Sequence, residues 1–183
     1  GQGSQYLGMG QDFFDNSDES KLVFKNLDER MDKKLSDLMF RGSEVELSKT
    51  TNSQPAIMSV SIAILKEINS RGLLYNKKIH SVAGHSLGEY SALVANNSLS
   101  FKDSVKLLII RSEAMQSCMP VGTGGMAAVL GLSEEEVLLI MKKLKVHGKL
   151  FIANDNADGQ IVLSGEINAI NYLCENAKKL GAK

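Results

Sequence analysis

Apolar residues recur at helical spacing through much of the first half of the chain. Residues 11–54 carry apolar positions between charged ones, which predicts short amphipathic helices separated by polar turns. Residues 56–69 are apolar on most sides and predict a buried helix that Pro55 opens and that ends at Arg71-Gly72. Residues 50–53 are expected to form the loop before it.

A short β-prone segment and a second apolar stretch frame one motif. Residues 77–83 are expected to form a strand, and residues 90–96 can continue as a helix. A strand flanked by two apolar helices predicts a layered α/β core. Between the strand and the second helix stands Gly84-His85-Ser86-Leu87-Gly88.

The last third of the chain follows a compact β-α-β-β-α pattern, after a glycine-rich break at residues 120–125. Strands are expected at 126–130, 149–154 and 160–164, and helices at 134–144 and 167–180. One further strand would complete a split β-α-β, or ferredoxin-like, subdomain. We therefore expect two domains, an α/β core over residues 1–121 and a small subdomain over residues 122–183.

A Gly-x-Ser-x-Gly motif between strand and helix is typical of a nucleophile elbow, in which a tight turn exposes the serine hydroxyl. Larger side chains at Gly84 or Gly88 are expected to collide with the flanking elements. Ser86 would lie at a helix N-terminus, where the Leu87 N–H can stabilise an oxyanion. The alternative is a structural turn in which Ser86 caps the helix and Glu89 completes a capping box.

A further helix is predicted from Ser100 through Met115, because Ser100 and Asp103 have the spacing of a helix start. Arg111 follows four consecutive apolar residues and shares a helical face with Met115. Such an arginine either extends its charge to solvent along an apolar stem or presents its guanidinium fork to a carboxylate. The pattern alone leaves both roles open.

Composition argues against several classes of function. The chain carries 21 basic and 21 acidic residues, so its net charge favours neither nucleic acid nor an anionic membrane. No apolar run reaches the roughly 20 residues of a membrane span, and no signal peptide or metal-ligand spacing is recognised. Cys118 and Cys174 are expected to be buried thiols, which is typical of a reducing cytoplasm.

Several separated segments resemble the malonyl-CoA:acyl carrier protein transacylase family, and they follow the family's order along the whole chain. The segments are Gly1-Gln2-Gly3-Ser4-Gln5, Gln54-Pro55-Ala56, Gly84 through Tyr90, Arg111 with Met115-Gln116, Gly125-Met126-Ala127-Ala128, Asn154-Asp155-Asn156 and Gly159-Gln160-Ile161-Val162. The resemblance implies an α/β-hydrolase-like layered domain with an inserted ferredoxin-like subdomain. It also implies transfer of a malonyl group from coenzyme A to the phosphopantetheine thiol of acyl carrier protein, through a malonyl-serine intermediate, in fatty-acid biosynthesis.

The same resemblance implies roles for individual residues. Ser86 would be the nucleophile, the backbone N–H groups of Gln2 and Leu87 would form the oxyanion hole, and Arg111 would bind the malonyl carboxylate. The other residues implied near the substrate are His85, Met115, Asn156 and Gln160. No metal or bound cofactor is implied, because malonyl-CoA is a substrate. Acyl carrier protein is the expected partner of a cytoplasmic monomer.

One part of the family's pattern is unmatched. The family's general base is a histidine that follows the last strand of the small subdomain, and we expect it to be absent from this chain. His80 precedes the elbow, His85 is expected to point away from the Ser86 hydroxyl, and His147 is expected to face solvent at a helix end. The chain begins without methionine and stops where a strand is expected. These features predict a fragment, inactive by itself, or a chain whose ends are unresolved.

Three alternative functions remain open on the sequence. The chain could be the acyltransferase domain of a polyketide or fatty-acid megasynthase, a serine esterase with the same elbow, or an inactive carrier-binding module. Arg111 argues against the esterase, because a neutral ester has no carboxylate to bind. The binding module would associate with carrier protein without acylation of Ser86.

Overall fold

A computed structural model of the chain describes residues 1–120 and 122–183. The chain divides into two compact units, residues 1–117 and residues 118–183. The predicted domain boundary at Val121 lies outside the described residues. Helices and one three-stranded sheet are both present, which confirms a mixed α/β class. Within the described residues, no helix is long and apolar enough to cross a membrane.

The first unit is built from helices. They are α1 (Gln11–Asn16), α2 (Asp18–Met31), α3 (Leu35–Arg41), α4 (Glu44–Ser48), α5 (Thr50–Ser70), α6 (Gly88–Ala95) and α7 (Phe101–Ser117). Serine side chains begin α2 and α4, since Ser17 accepts the Ser20 N–H and Ser43 accepts the Glu46 N–H. The short helices predicted between residues 11 and 54 are therefore confirmed.

The helices of this unit share one apolar core. Phe24, Leu27, Met58 and Leu108 are fully buried on α2, α5 and α7. The ring of Phe24 lies edge-on to the rings of Phe14 and Phe40, at centroid distances of 6.0 and 5.5 Å. Burial of each such side chain contributes roughly 1.5–3 kcal/mol, so packing of these helices fixes the position of α5 and α7, which carry site residues.

Helix α5 begins earlier than the sequence predicts. The N–H groups of Asn52 and Ser53 donate to the Lys49 carbonyl at 2.8 and 2.9 Å, so residues 50–53 form the first turn of the helix. The predicted loop was wrong because Asn52 and Ser53 are buried against the core, and packing overrides their preference for turns. Pro55 lies inside α5 rather than at its start. The helix ends as predicted, at Arg71 followed by Gly72 with φ of 67°.

The predicted strand at residues 77–83 is not formed. Its residues are exposed and have no strand partner in the described parts of the chain. A strand exists only through hydrogen bonds to a neighbour, so β propensity by itself does not produce one. The sheet among the described residues belongs to the second unit.

The second unit follows the predicted β-α-β-β-α pattern. Its elements are β1 (Gly124–Leu130), α8 (Glu134–Leu144), β2 (Leu150–Ala157), β3 (Gln160–Glu166), α9 (Ile167–Asn176) and a final 3-10 turn (Ala177–Leu180). The antiparallel sheet has the order β1-β3-β2. The predicted start of α8 is confirmed by a capping box between Ser133 and Glu136.

Two details of this unit differ from the prediction. Gly124 and Gly125 belong to β1 rather than to the glycine-rich break. Cys174 is exposed, because α9 buries Ala169, Ile170 and Leu173 on its other side. Cys118 is exposed as well, so the expectation of buried thiols was wrong for both cysteines.

Candidate active site

The turn before α6 holds Ser86 in a conformation that residues with a side chain rarely adopt. Its φ is 55°, in the left-handed region. The N–H groups of Gly88 and Glu89 close the turn by donating to the carbonyls of His85 and Ser86, at 2.9 and 3.1 Å. Such a backbone costs on the order of 1–3 kcal/mol and is concentrated at functional sites. The turn and the following helix therefore match the second half of a nucleophile elbow.

The helix-cap interpretation of Ser86 is not correct. The residue at the N-cap of α6 is Leu87, and no side chain caps this helix. The Ser86 hydroxyl instead accepts a hydrogen bond from Arg111 Nη2 at 2.9 Å. The side chain is therefore directed at a charged group rather than at the helix backbone.

Glycine is required at position 84 because the backbone of Gly88 and Glu89 passes too close to leave room for a side chain. A Cβ placed on Gly84 would lie 1.9 Å from the Gly88 carbonyl oxygen and 2.5 Å from the Glu89 nitrogen. A Cβ placed on Gly88 would meet no heavy atom within 4 Å among the described residues. The predicted collision is thus confirmed at Gly84, while the structure gives no such reason for Gly88.

Gly84→Ala is expected to displace the elbow, because the new methyl group overlaps backbone atoms that cannot rotate away. We expect the free energy of unfolding to fall by about 2–3 kcal/mol, measured by urea denaturation. Acylation of Ser86 should slow in parallel. Gly88→Ala is the matched control and should change stability by less than about 0.5 kcal/mol. Equal losses in the two variants would contradict this account of the turn.

Arg111 reaches the elbow from α7. Its guanidinium is half-buried and donates through two nitrogens, from Nη2 to Ser86 Oγ and from Nη1 to Gln54 Oε1. The side chain therefore does not extend into solvent, which decides against the first of the two roles open from the sequence. A guanidinium beside a strained serine hydroxyl can bind a carboxylate on the acyl group that the serine would carry.

Gln54 connects Arg111 to the chain start. Its side chain on α5 is fully buried, and Nε2 donates to Thr50 Oγ1 at 2.7 Å and to Met115 Sδ at 3.3 Å. Thr50 Oγ1 in turn donates to Gln2 Oε1 at 3.4 Å. Arg111, Met115 and Gln2, three residues expected at the site, are thereby linked through Gln54 and Thr50.

Two backbone N–H groups are available near the serine. Neither Leu87 nor Gln2 has an acceptor for its N–H among the described residues. The Leu87 side chain is buried in the core and anchors its backbone. A Cβ placed on Gly1 would lie 3.7 Å from His85 Nδ1, which brings the chain start beside the elbow. The role of both groups as oxyanion donors stays a prediction.

The other histidines and the predicted substrate residues of the second unit lie at or near the protein surface. His80 and His85 are exposed. His147 is half-buried and its ring stacks on Tyr172 at 3.8 Å, so the solvent-facing prediction was wrong. Asn156 on β2 and Gln160 on β3 are exposed residues of the second unit. Their place near the substrate stays a prediction.

Gln54 and Thr50 were absent from the site residues predicted from the sequence. The sequence offered one signal for Gln54, which belongs to the Gln54-Pro55-Ala56 segment that resembles the family. Among the described residues, no group of His, Cys, Asp and Glu side chains could hold a metal ion.

Comparison with known proteins places the chain beside acyl-transferring enzymes. A family described as "Acyl transferase domain" matches residues 1–183. A protein of Bacillus subtilis named malonyl CoA-acyl carrier protein transacylase is 43% identical over 100% of this chain and 57% of its own length. A protein of the same name from Staphylococcus aureus is 42% identical over 100% of this chain and 58% of its own length.

Solved structures give a similar result. An acyl-carrier-protein-S-malonyltransferase from Bartonella henselae is 45% identical with a TM-score of 0.90, covering 100% of this chain and 58% of its own. A malonyl-transacylase solved in complex with its type II PKS acyl-carrier protein is 36% identical with a TM-score of 0.88, covering 100% of this chain and 58% of its own. The chain thus spans a little over half the length of these proteins.

Proposed function

Since the chain belongs to the acyl transferase domain family, we propose that its protein transfers a malonyl group from coenzyme A to the phosphopantetheine thiol of acyl carrier protein. The observation that carries this proposal is the hydrogen bond from Arg111 Nη2 to Ser86 Oγ at 2.9 Å. It joins a candidate nucleophile to a cation that suits a dicarboxylic acyl group. The names of the similar proteins support the same activity.

The proposed reaction has two matched halves. Ser86 Oγ attacks the thioester carbonyl and loses its proton to a general base, and the coenzyme A thiolate leaves and takes up a proton. The malonyl-serine ester is then attacked by the phosphopantetheine thiol, which restores the Ser86 hydroxyl. We place the general base outside this chain's three histidines, a view supported by the stacking of His147 on Tyr172 and the exposure of His80.

Each half passes through a tetrahedral oxyanion. The N–H groups of Leu87 and Gln2 are proposed to stabilise it, and loss of one such donor typically costs about 10²–10³-fold in rate. Arg111 is proposed to hold the malonyl carboxylate, at roughly 1.5–3 kcal/mol for a hydrogen bond to a charged group. His85, Met115, Asn156 and Gln160 are proposed to complete the substrate site.

The finer description of the fold is proposed as well. Residues 1–121 are taken as part of an α/β-hydrolase-like domain and residues 122–183 as a ferredoxin-like subdomain, which the order β1-β3-β2 with two helices supports. The protein is further proposed to be a cytoplasmic monomer of fatty-acid biosynthesis that needs no metal or bound cofactor. It is not proposed to bind nucleic acid or membranes.

The test is transfer from labelled malonyl-CoA to acyl carrier protein, with the full-length protein and separation of the carrier by gel electrophoresis. Label on carrier protein that bears phosphopantetheine, and none on the carrier without it, is expected. Release of free malonate faster than transfer would favour an esterase. Carrier binding without any label on Ser86 would favour an inactive binding module.

A further inference from the structure

We propose that Gln54 is a positioning residue, which holds the Arg111 guanidinium in place for an acyl carboxylate without neutralising its charge. The proposal rests on the proposed function and deepens it, since it names what sets the preference for a carboxylated acyl group. Gln54 does not touch the reacting atoms; it would act through Arg111.

The orientation of the Gln54 carboxamide follows from the chemistry of its neighbours. A guanidinium has donors only, so it must face Gln54 Oε1. The amide nitrogen then faces two acceptors, Thr50 Oγ1 at 2.7 Å and Met115 Sδ at 3.3 Å. Both N–H groups of the amide are thus used, and the side chain is fully buried. Gln54 therefore presents a fixed acceptor to Arg111.

The hydrogen bonds run in one direction from the positive charge. Arg111 donates to Gln54, Gln54 donates to Thr50, and Thr50 donates to Gln2. Successive dipoles aligned in this way reinforce one another. The long Arg111 side chain is thereby ordered before substrate binds, so it loses less rotational freedom on binding. This series of hydrogen bonds also connects the proposed carboxylate site with Gln2, a proposed oxyanion donor.

Within the described residues, every partner of the Arg111 guanidinium is electrically neutral. Its acceptors are an amide oxygen and the Ser86 hydroxyl. The ion pairs among the described residues are Lys49 with Glu46 and Arg71 with Glu67, so no described carboxylate pairs with Arg111. A half-buried charge is normally paired. The missing counter-charge next to the serine fits a carboxylate that arrives with the acyl group.

The test is therefore to replace the neutral amide of residue 54 with a charged group. Gln54→Glu keeps the shape of the side chain but places a carboxylate on Nη1, which would neutralise Arg111 and compete with the acyl carboxylate. We expect kcat/KM for malonyl-CoA to fall about 100-fold, as for loss of a charge-assisted pair. The slow reaction with acetyl-CoA should change less than about 3-fold, because acetyl has no carboxylate.

Gln54→Met removes the hydrogen bonds at nearly constant volume. Arg111 would keep its charge but lose its support, so KM for malonyl-CoA should rise about 10-fold with a smaller change in kcat. The malonyl-to-acetyl ratio of kcat/KM should therefore fall in both variants and fall further in Gln54→Glu.

Ser59→Ala is the matched control. Ser59 is buried on the same helix, and its hydroxyl donates to the Pro55 carbonyl at 2.8 Å without a link to Arg111. This variant should keep the wild-type malonyl-to-acetyl ratio. Labelling of Ser86 by a neutral sulfonyl fluoride, together with thermal unfolding, would show that each full-length variant is folded with an accessible serine.

The outcomes separate the two proposals. A wild-type protein that forms no malonyl ester on Ser86 would overturn the proposed function and this inference with it. A wild-type preference for malonyl that persists in folded Gln54→Glu and Gln54→Met would overturn only the role of Gln54. If Gln54→Met does not fold, the isosteric Gln54→Glu decides; an unfolded Gln54→Glu would make Gln54 structural and contradict positioning.

Discussion

Ser86→Ala is expected to abolish acylation of the full-length protein by malonyl-CoA. The Ser86 hydroxyl is proposed as the covalent carrier of the malonyl group, and Ser86 is held in the turn with a φ of 55°. Transfer to acyl carrier protein should fall by about 10⁴-fold or more, the scale on which loss of a covalent nucleophile acts. Transfer assays with labelled malonyl-CoA measure this directly.

Ser91→Ala is the control for that experiment. Ser91 lies in α6, the helix that follows the Ser86 turn, and its buried hydroxyl has no hydrogen-bond partner among the described residues. Its removal should leave transfer and labelling close to wild type. Labelling that persists in Ser86→Ala at another residue would refute the assignment of the nucleophile.

Arg111→Ala is expected to change which acyl group is transferred. Malonyl transfer should lose on the order of 100-fold or more in kcat/KM, because a bidentate contact to a carboxylate is lost in a partly dry site. Acetyl transfer should be retained or rise, since the neutral acetyl group never used the guanidinium. Competition between malonyl-CoA and acetyl-CoA in one reaction gives the ratio.

Arg111→Lys separates charge from geometry. Lysine keeps the positive charge but lacks the planar fork, so it should recover part of the malonyl preference and not all of it. An equal loss of malonyl and acetyl transfer in Arg111→Ala would remove the carboxylate role. It would instead indicate that Arg111 supports Ser86 Oγ, the atom to which it donates at 2.9 Å.

The sequence predicted elements whose stabilising contacts are local. The caps at Ser100 and Ser133, the end of α5 at Gly72 and the pattern of the second unit depend on residues a few positions apart. Prediction from the sequence failed for segments whose structure depends on contacts with residues far away along the chain. Residues 50–53 carry turn-forming residues, yet burial against the core draws them into α5. Residues 77–83 have β propensity without a partner strand among the described residues.

The residues of the candidate site also differ in how far the sequence could predict them. Ser86 and Arg111 could be singled out from a glycine-framed serine and a lone arginine in an apolar helix, and resemblance to a family supplied their roles. Gln54 stood in a segment that resembles the family, but its role could not be predicted, because that role depends on a contact across 57 positions of sequence. Only packing of α5 beside α7 shows that one buried amide orients the guanidinium.

Mass spectrometry of the full-length protein after brief exposure to malonyl-CoA, with peptide mapping of the adduct, tests directly whether Ser86 carries the malonyl group. We expect a single malonyl group, located on Ser86, that disappears when acyl carrier protein bearing phosphopantetheine is added. A protein that stays unmodified, or one whose malonyl group maps to another residue, would contradict this expectation.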